Sequence, residues 1–340
     1  MRPSRRLVGP LLAFVALAVA IYALPAFVSD FRAQQFAYVG IYTTALIGLN
    51  VLTGYTGQIS LGHGALMAVG GYTTAILMAG NDHISGGMKD IWTIPIAAVV
   101  TGAAGFLFGL PALRLSGLYL ALATFAIAVA TPAVIKRFEG FSGGGSGINL
   151  FGLPELTGSL TPVDVLGVEL NFNNWLYVLC WTTALVGYVL AWLLLRGRTG
   201  RAFRAVRDSE TAAVSSGVSL GAYKTLAFAV SAAYCGVAGS LFAIATTFVN
   251  PDTFPIALSI FLLVGVVVGG LGSLLGLIAG AVLIQFLPIW AQEISKSPGA
   301  PAVVYGVVLI ALMFLLPSGF AGLIRRIGSL ASRGYHRVSS

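Results

Sequence analysis

The chain has 340 residues, 57% of them hydrophobic and 9% charged, with a mean hydropathy of +0.92 and a formal net charge of +8. Soluble domains carry about a quarter charged residues, so this composition excludes a water-facing globule and defines a polytopic membrane protein. The surplus cations lie in loops beside apolar spans, where they orient helices and meet anionic headgroups, and no basic stripe interleaves with aromatics, so nucleic-acid binding is excluded as well.

In chain order, Met1–Arg6 carries three arginines and leads into the 22-residue apolar run Leu7–Val28. The start resembles a signal peptide, but the run exceeds a typical h-region and reads as an uncleaved first span. Further spans are predicted at 36–54, 60–80, 92–110, 116–135, 175–195, 225–248, 256–271, 273–290 and 302–317. Most reach the ~20 residues that a hydrocarbon core of ~30 Å requires. Ten spans put both termini on one side. If that side is cytoplasmic it receives 14 of the 19 cations, with only Arg32, Lys89, Lys136, Arg137 and Lys296 opposite, which supports N-in and C-in. The pair 256–290 reads either as two spans or as one helix broken within the membrane at Gly269-Gly270-Leu271-Gly272-Ser273.

The one long exterior segment, 136–174, holds Phe141-Ser-Gly-Gly-Gly-Ser-Gly147, Pro154 and Pro162. It shows no clear core and suits a gate or a partner-facing loop. Ile94-Pro-Ile-Ala-Ala-Val-Val-Thr-Gly102-Ala, ending at Leu110-Pro111, is similar to Leu277-Ile-Ala-Gly280-Ala, ending at Leu287-Pro288. Those two spans run oppositely, which fits an inverted repeat; chance likeness between Gly/Ala-rich spans is the alternative. Cys180 and Cys235 lie in apolar runs without a CxxC spacing and read as packing residues.

The longest cation-rich interruption is 196–224, with Arg196, Arg198, Arg201, Arg204, Arg207 and Lys224. Arg201-Ala-Phe-Arg204-Ala-Val-Arg207 predicts a short helix. Asp208 or Ser209 can cap a second one, with Glu210 in its first turn and Gly217 as its terminating glycine. Two short helices in one loop suggest a docking surface for a soluble partner; a loop that merely fixes topology is the alternative.

All eleven acidic residues fall in predicted loops, so no membrane carboxylate is available to bind a coupling ion. The four lysines follow Met88, Ile135, Tyr223 and Ser295, and none can complete a phosphate-binding loop. A proton- or sodium-driven carrier is disfavoured, and active transport would need energy from another subunit. No metal cluster and no nucleophile–base pair is visible, so neither a metal site nor a catalytic residue is assigned. His63 is the one ionisable residue inside an expected span, in Gly54-Tyr-Thr-Gly-Gln-Ile-Ser-Leu-Gly-His-Gly64. Alone, it reads as a neutral imidazole bonded to a backbone carbonyl. Its surroundings read either as unwound backbone facing a cavity, with Gln58, Ser60 and His63 as polar groups, or as a glycine packing face.

Two stretches carry a family resemblance. Asn50-Val-Leu-Thr-Gly-Tyr-Thr-Gly-Gln-Ile-Ser-Leu-Gly-His-Gly64, continuing to Gly70-Gly71-Tyr72, resembles the N-terminal signature of LivM-type permeases of branched-chain amino acid ABC importers. Gly200-Arg-Ala-Phe-Arg-Ala-Val-Arg-Asp208, then Ala212-Ala213, Gly217 and Lys224-Thr-Leu-Ala-Phe228, is similar to that family's cytoplasmic coupling segment. The likeness continues through Leu115-Ser-Gly-Leu-Tyr119, Ser142-Gly-Gly-Gly-Ser-Gly147 and Gly269-Gly-Leu-Gly-Ser273, from about 36 to 322.

The resemblance implies an all-α transmembrane bundle of about ten spans, one permease domain over 1–340, that imports branched-chain or related amino acids. Related permeases take up urea, short amides and other small polar solutes. It implies four partners besides the bilayer: a LivH-type permease, two ATPase subunits and an extracytoplasmic substrate-binding protein. ATP and Mg would bind the ATPases, with no cofactor on this chain, in a bacterial plasma (inner) membrane. Arg201, Arg204, Arg207, Asp208, Glu210, Ala212, Ala213 and Gly217 are then the expected coupling residues. Asn50, Gln58, Ser60 and His63 are the candidates for the substrate path.

Overall fold

A computed structural model describes residues 21–22, 29–81, 83–115, 117–158, 163–165, 168–294, 300–315 and 319–323. The first expected span, 7–28, lies outside the described residues apart from Ile21 and Tyr22. The α-helices of six or more residues that follow are α1 (Asp30–Asn50), α2 (His63–Ala79), α3 (Asp90–Ala112), α4 (Leu118–Arg137), α5 (Phe172–Arg196), α6 (Arg198–Asp208), α7 (Glu210–Ser215), α8 (Leu220–Thr246), α9 (Ile256–Gly269), α10 (Leu277–Ile294) and α11 (Ala300–Leu315). Among the described residues six helical segments are long and apolar enough to cross a membrane: Asp30–Tyr55, Asp90–Ala112, Leu118–Arg137, Phe172–Arg196, Leu220–Thr246 and Pro251–Gly269. The protein is a polytopic helical membrane protein. At 17 and 16 residues, α2 and α11 are shorter.

The helices are hydrophobic on most sides, so what decides position is how closely backbones can approach. At the centre, α8 packs against α3, α2 and α1. A Cβ at Gly239 would strike the Met67 carbonyl, and one at Gly105 would strike the Ala232 methyl, so small residues set both contacts. The apolar stretches of α1 and α4 are 83% and 22% buried, which makes α1 a core helix and leaves α4 at the periphery.

Helices α9 and α10 pack against one another as an antiparallel hairpin. Gly265 meets Gly280 and Gly269 meets Gly276, backbone to backbone, on either side of Gly270 and Gly272, whose φ angles are +112° and +75°. The stretch Gly269–Ser273 is therefore a turn between two helices.

The segment 136–174 is more structured than its composition suggests. Four short strands, β1 (Ile148–Asn149), β2 (Val163–Val165), β3 (Val168–Leu170) and β4 (Phe248–Val249), form two antiparallel ribbons, β1 with β4 and β2 with β3. Ile148, Leu150 and Leu156 are buried and pin the segment to the bundle. Those apolar positions are too widely spaced to read as a core in the sequence.

Three acidic residues expected in loops stand within the long helices, and the first, Asp30, is the exposed opening residue of α1. Asp90 opens α3 fully buried, accepting hydrogen bonds from Ile91 N–H at 2.8 Å and from Thr157 Oγ1 at 2.6 Å. A carboxylate at a helix N-terminus is favoured by the dipole, which explains its burial at a helix end. Glu293 lies in the exposed last turn of α10. Nor is His63 alone among ionisable groups: Lys224, in the second turn of α8, is buried too.

Candidate functional site

The break between α1 and α2 is where polar groups gather. After Asn50 the helix widens into a single π-helical turn, Val51–Tyr55, and residues 57–62 have no regular structure, with Gly57 at φ +72°. Gln58 N–H bonds the Leu52 carbonyl at 3.2 Å instead of the Gly54 carbonyl four residues back. The helix cannot continue, and Gly54 is left with an unused acceptor. Glycine serves both expected purposes here. Gly57 supplies the left-handed turn, while Gly64 lets α2 touch Ser259, whose Oγ accepts the Gly64 N–H at 2.9 Å.

Every candidate path residue is buried. Asn50 reaches across to the α9–α10 turn, where its Oδ1 accepts from Gly272 N–H at 2.9 Å and its Nδ2 donates to the Ser273 carbonyl at 3.0 Å. Ser60 Oγ and Ser231 Oγ lie 3.1 and 2.7 Å from the two ring nitrogens of His63. Either imidazole tautomer satisfies both contacts, because a hydroxyl can donate or accept. His63 thus bonds two hydroxyls and no carbonyl, joining the start of α2 to the middle of α8. Farther along the same pair, Thr74 Oγ1 lies 2.6 Å from Ser240 Oγ. Gln58 differs from the other three. Its Nε2 donates to Thr56 Oγ1 at 3.0 Å, while its buried Oε1 has no partner.

Sequence reasoning missed Ser231, Ser259 and Thr124, the last of which accepts the Leu61 N–H at 2.9 Å. Their signal was a lone hydroxyl within an apolar span. Such residues often bond their own preceding turn, so the pattern does not discriminate.

The 196–224 segment folds as two helices, as expected. In α6, Ala202, Phe203 and Val206 face inward, and Phe203 meets Tyr223 edge-on with centroids 6.3 Å apart. Ser209 caps α7 by accepting from Ala212 N–H at 3.3 Å, and Asp208 ends α6. Gly217 ends the second helix at φ +81°, with Val218 N–H bonding the Ala213 carbonyl at 2.9 Å. Ala213 is buried within the chain, whereas Ala212, Val214 and Gly217 are exposed. The arginines divide as well. Arg201, Arg204 and Arg207 are all exposed, but Arg204 Nη2 lies 3.5 Å from the Leu195 carbonyl, and Arg207 Nη1 donates to the Gly54 carbonyl at 2.5 Å. Glu210 pairs with Lys224 at 2.7 Å.

At the far ends of the same helices, Lys136 pairs with Asp252 at 3.2 Å, and Asn81 Nδ2 donates to the Phe141 carbonyl at 3.2 Å. The α6–α7 segment, the α1–α2 break and the α9–α10 turn, which serves as a second break, therefore share one end of the bundle, and the glycine-rich segment lies at the other. Among the described residues no group of three or more His, Cys, Asp or Glu could hold a metal ion.

The fold defines a helical membrane protein with a broken helix beside a surface helix pair. Residues 32–316 match the family described as "Branched-chain amino acid transport system / permease component", and the chain belongs to it. It is 34% identical over 328 residues to the high-affinity branched-chain amino acid transport system permease protein LivM of Salmonella typhimurium, covering 92% of this chain and 75% of that one. The LivM of Escherichia coli K12 is 33% identical over 327 residues, with the same coverage. A probable branched-chain amino acid transport permease protein LivM of Methanocaldococcus jannaschii is 23% identical over 333 residues, covering 85% and 93%. No solved structure matches the chain.

Proposed function

We propose that the whole chain acts as one permease domain, forming half of the translocation path of an ABC importer for branched-chain or related amino acids. A LivH-type permease supplies the other half, two ATPase subunits bind ATP and Mg and drive the cycle, and an extracytoplasmic binding protein delivers the solute. The membrane is the bacterial inner membrane, crossed about ten times with both termini cytoplasmic, and α3 and α10 belong to inverted halves.

One observation carries this reading. The capped helix α7 and its terminating glycine expose Ala212, Val214 and Gly217 at the end of the bundle where both helix breaks lie. A loop that only fixed topology would need no such shape.

Solute passing the breaks meets dipoles rather than fixed charge. Asn50, Ser60 and His63 hold the shape of the path, and the unpartnered Gln58 Oε1 is the acceptor offered to a substrate ammonium group. A bare charge at bilayer depth costs at least about 2.5–3.5 kcal/mol, so weak neutral groups suit a path that must release its cargo.

The test is co-purification in mild detergent followed by reconstitution. ATPase subunits should stay bound to this chain, and uptake of leucine, isoleucine or valine should require ATP and the binding protein. Uptake by this chain alone, driven by a pH gradient, would refute the reading.

A further inference from the structure

Building on the importer reading, we propose that Arg207 and Asn50 are positioning residues that carry movement of α6–α7 to both helix breaks. Arg207 then works inward rather than against the ATPase, and Asn50 works as a clamp.

Each break exposes backbone groups that the helix no longer uses, and each is answered by one side chain from elsewhere in the chain. Gln58 N–H turns to the Leu52 carbonyl, which frees the Gly54 carbonyl, and Arg207 Nη1 takes that carbonyl. In the other break the Gly272 N–H and the Ser273 carbonyl are both taken by the Asn50 side chain. The two breaks touch as well. A Cβ on Gly272 would lie 3.1 Å from Arg207 Nη1, and one on Gly54 would meet the Gly272 nitrogen at 2.6 Å. The Arg207 guanidinium therefore sits against both breaks.

These bonds make the junction stiff. If α6 moves without the breaks, the buried Gly54 carbonyl is left unsatisfied, and an unpaired buried polar group is strongly disfavoured. The low-energy course is for the breaks to follow α6. Neither Arg201 nor Arg204 acts this way: all three arginines are exposed, but only Arg207 reaches the Gly54 carbonyl, and Arg204 bonds the end of α5 instead. The guanidinium also presents several donors in a plane, which a lysine ammonium does not.

The experiment uses the complete importer in liposomes and measures ATP hydrolysed per amino acid imported. A second readout is maleimide labelling of Ile59→Cys, an exposed position in the first break, with and without ATP. The native Cys180 and Cys235 are buried and give little background. Arg207→Gln should retain its ATPase subunits, import about tenfold less per ATP, the scale of one lost hydrogen bond to a charged group, and lose the ATP-dependent change in labelling. Arg207→Lys should fall between, and Asn50→Ala should resemble Arg207→Gln.

Wild-type coupling and labelling in Arg207→Gln would overturn the proposal. So would loss of ATPase from that variant, which would make Arg207 a partner contact. Should Arg207→Gln fail to insert, wild-type coupling in Arg207→Lys overturns the proposal just as well. If the unaltered chain retains no ATPase, the importer reading falls first and takes this proposal with it.

Discussion

Lys224 Nζ lies 2.7 Å from Glu210 Oε1, joining the first residue of α7 to the second turn of α8. The lysine side chain is only 6% exposed, while the glutamate is 48% exposed. The pair therefore holds a buried ammonium next to a half-solvated carboxylate. Glu210 sits in the first turn of α7, as expected, but its tighter partner is a cation within the membrane helix.

Glu210→Gln should destabilise the α7–α8 junction, because Lys224 keeps its charge and loses its counter-ion. Since water still reaches the glutamate, the loss should be modest, roughly 1–3 kcal/mol. Thermal unfolding in detergent would register it as a lowered Tm. The double variant Glu210→Gln/Lys224→Met should recover much of the loss, as neither charge then remains. An unchanged Tm in Glu210→Gln would show that the pair contributes nothing.

His63→Leu should be more damaging than Ser231→Ala. The leucine strands the buried Ser231 hydroxyl, at about 1–3 kcal/mol for an unsatisfied group. It also leaves Ser60 Oγ with only the Gly62 N–H at 3.4 Å and empties the link between α2 and α8, whereas Ser231→Ala strands one ring nitrogen. Tm should fall in that order, and uptake should fall in His63→Leu. Gln58→Leu removes an acceptor with no internal partner and one bond to Thr56, whose hydroxyl still donates to the Leu52 carbonyl, so it should reduce uptake with a smaller change in Tm. Equal Tm for His63→Leu and Gln58→Leu would contradict this assignment.

Gly217 separates backbone need from side-chain space. Its φ of +81° disfavours any other residue, yet a Cβ there meets nothing within 4 Å. Gly217→Asn should therefore be mild, since asparagine tolerates left-handed backbone, while Gly217→Val should cost about 1–2 kcal/mol and, on the proposed importer reading, weaken ATPase binding. ATPase retained on the purified chain measures both. Full retention in Gly217→Val would mean that the cap is dispensable.

Cysteine at Ser146 should react with an impermeant maleimide applied from outside cells. Cysteine at Ser209 should react only after the membrane is opened. The two residues lie at opposite ends of the bundle, so reversed labelling would invert the orientation derived from the 14 cations on one side.

Much of this was legible because the signals are local. Long apolar runs gave the helices, and Ser209 and Gly217 gave the boundaries of α7, since capping depends on a few neighbouring residues. The glycines of 54–64 fitted either a break or a packing face, and nothing in them showed the π-helical turn. What stayed hidden was pairing over distance. Nothing near Asn50 shows that its amide is used by residues 222 and 223 positions away, or that His63 meets a serine 168 positions away. Arg207 looked like its neighbours Arg201 and Arg204, because a period of three does not say which arginine folds inward.

The Asn50 clamp also sets a schedule for making the protein. Its partners Gly272 and Ser273 are translated 222 and 223 residues after it. At synthesis rates of about 5–20 residues per second, α1 waits roughly 11–45 s before they exist. Throughout that time the amide at the end of an inserted helix must be solvated by water or held by the insertion machinery, because lipid offers it nothing. A defect in the late α9–α10 hairpin would therefore strand the early helix α1, and quality control would find its target at Asn50, far upstream of the altered codon.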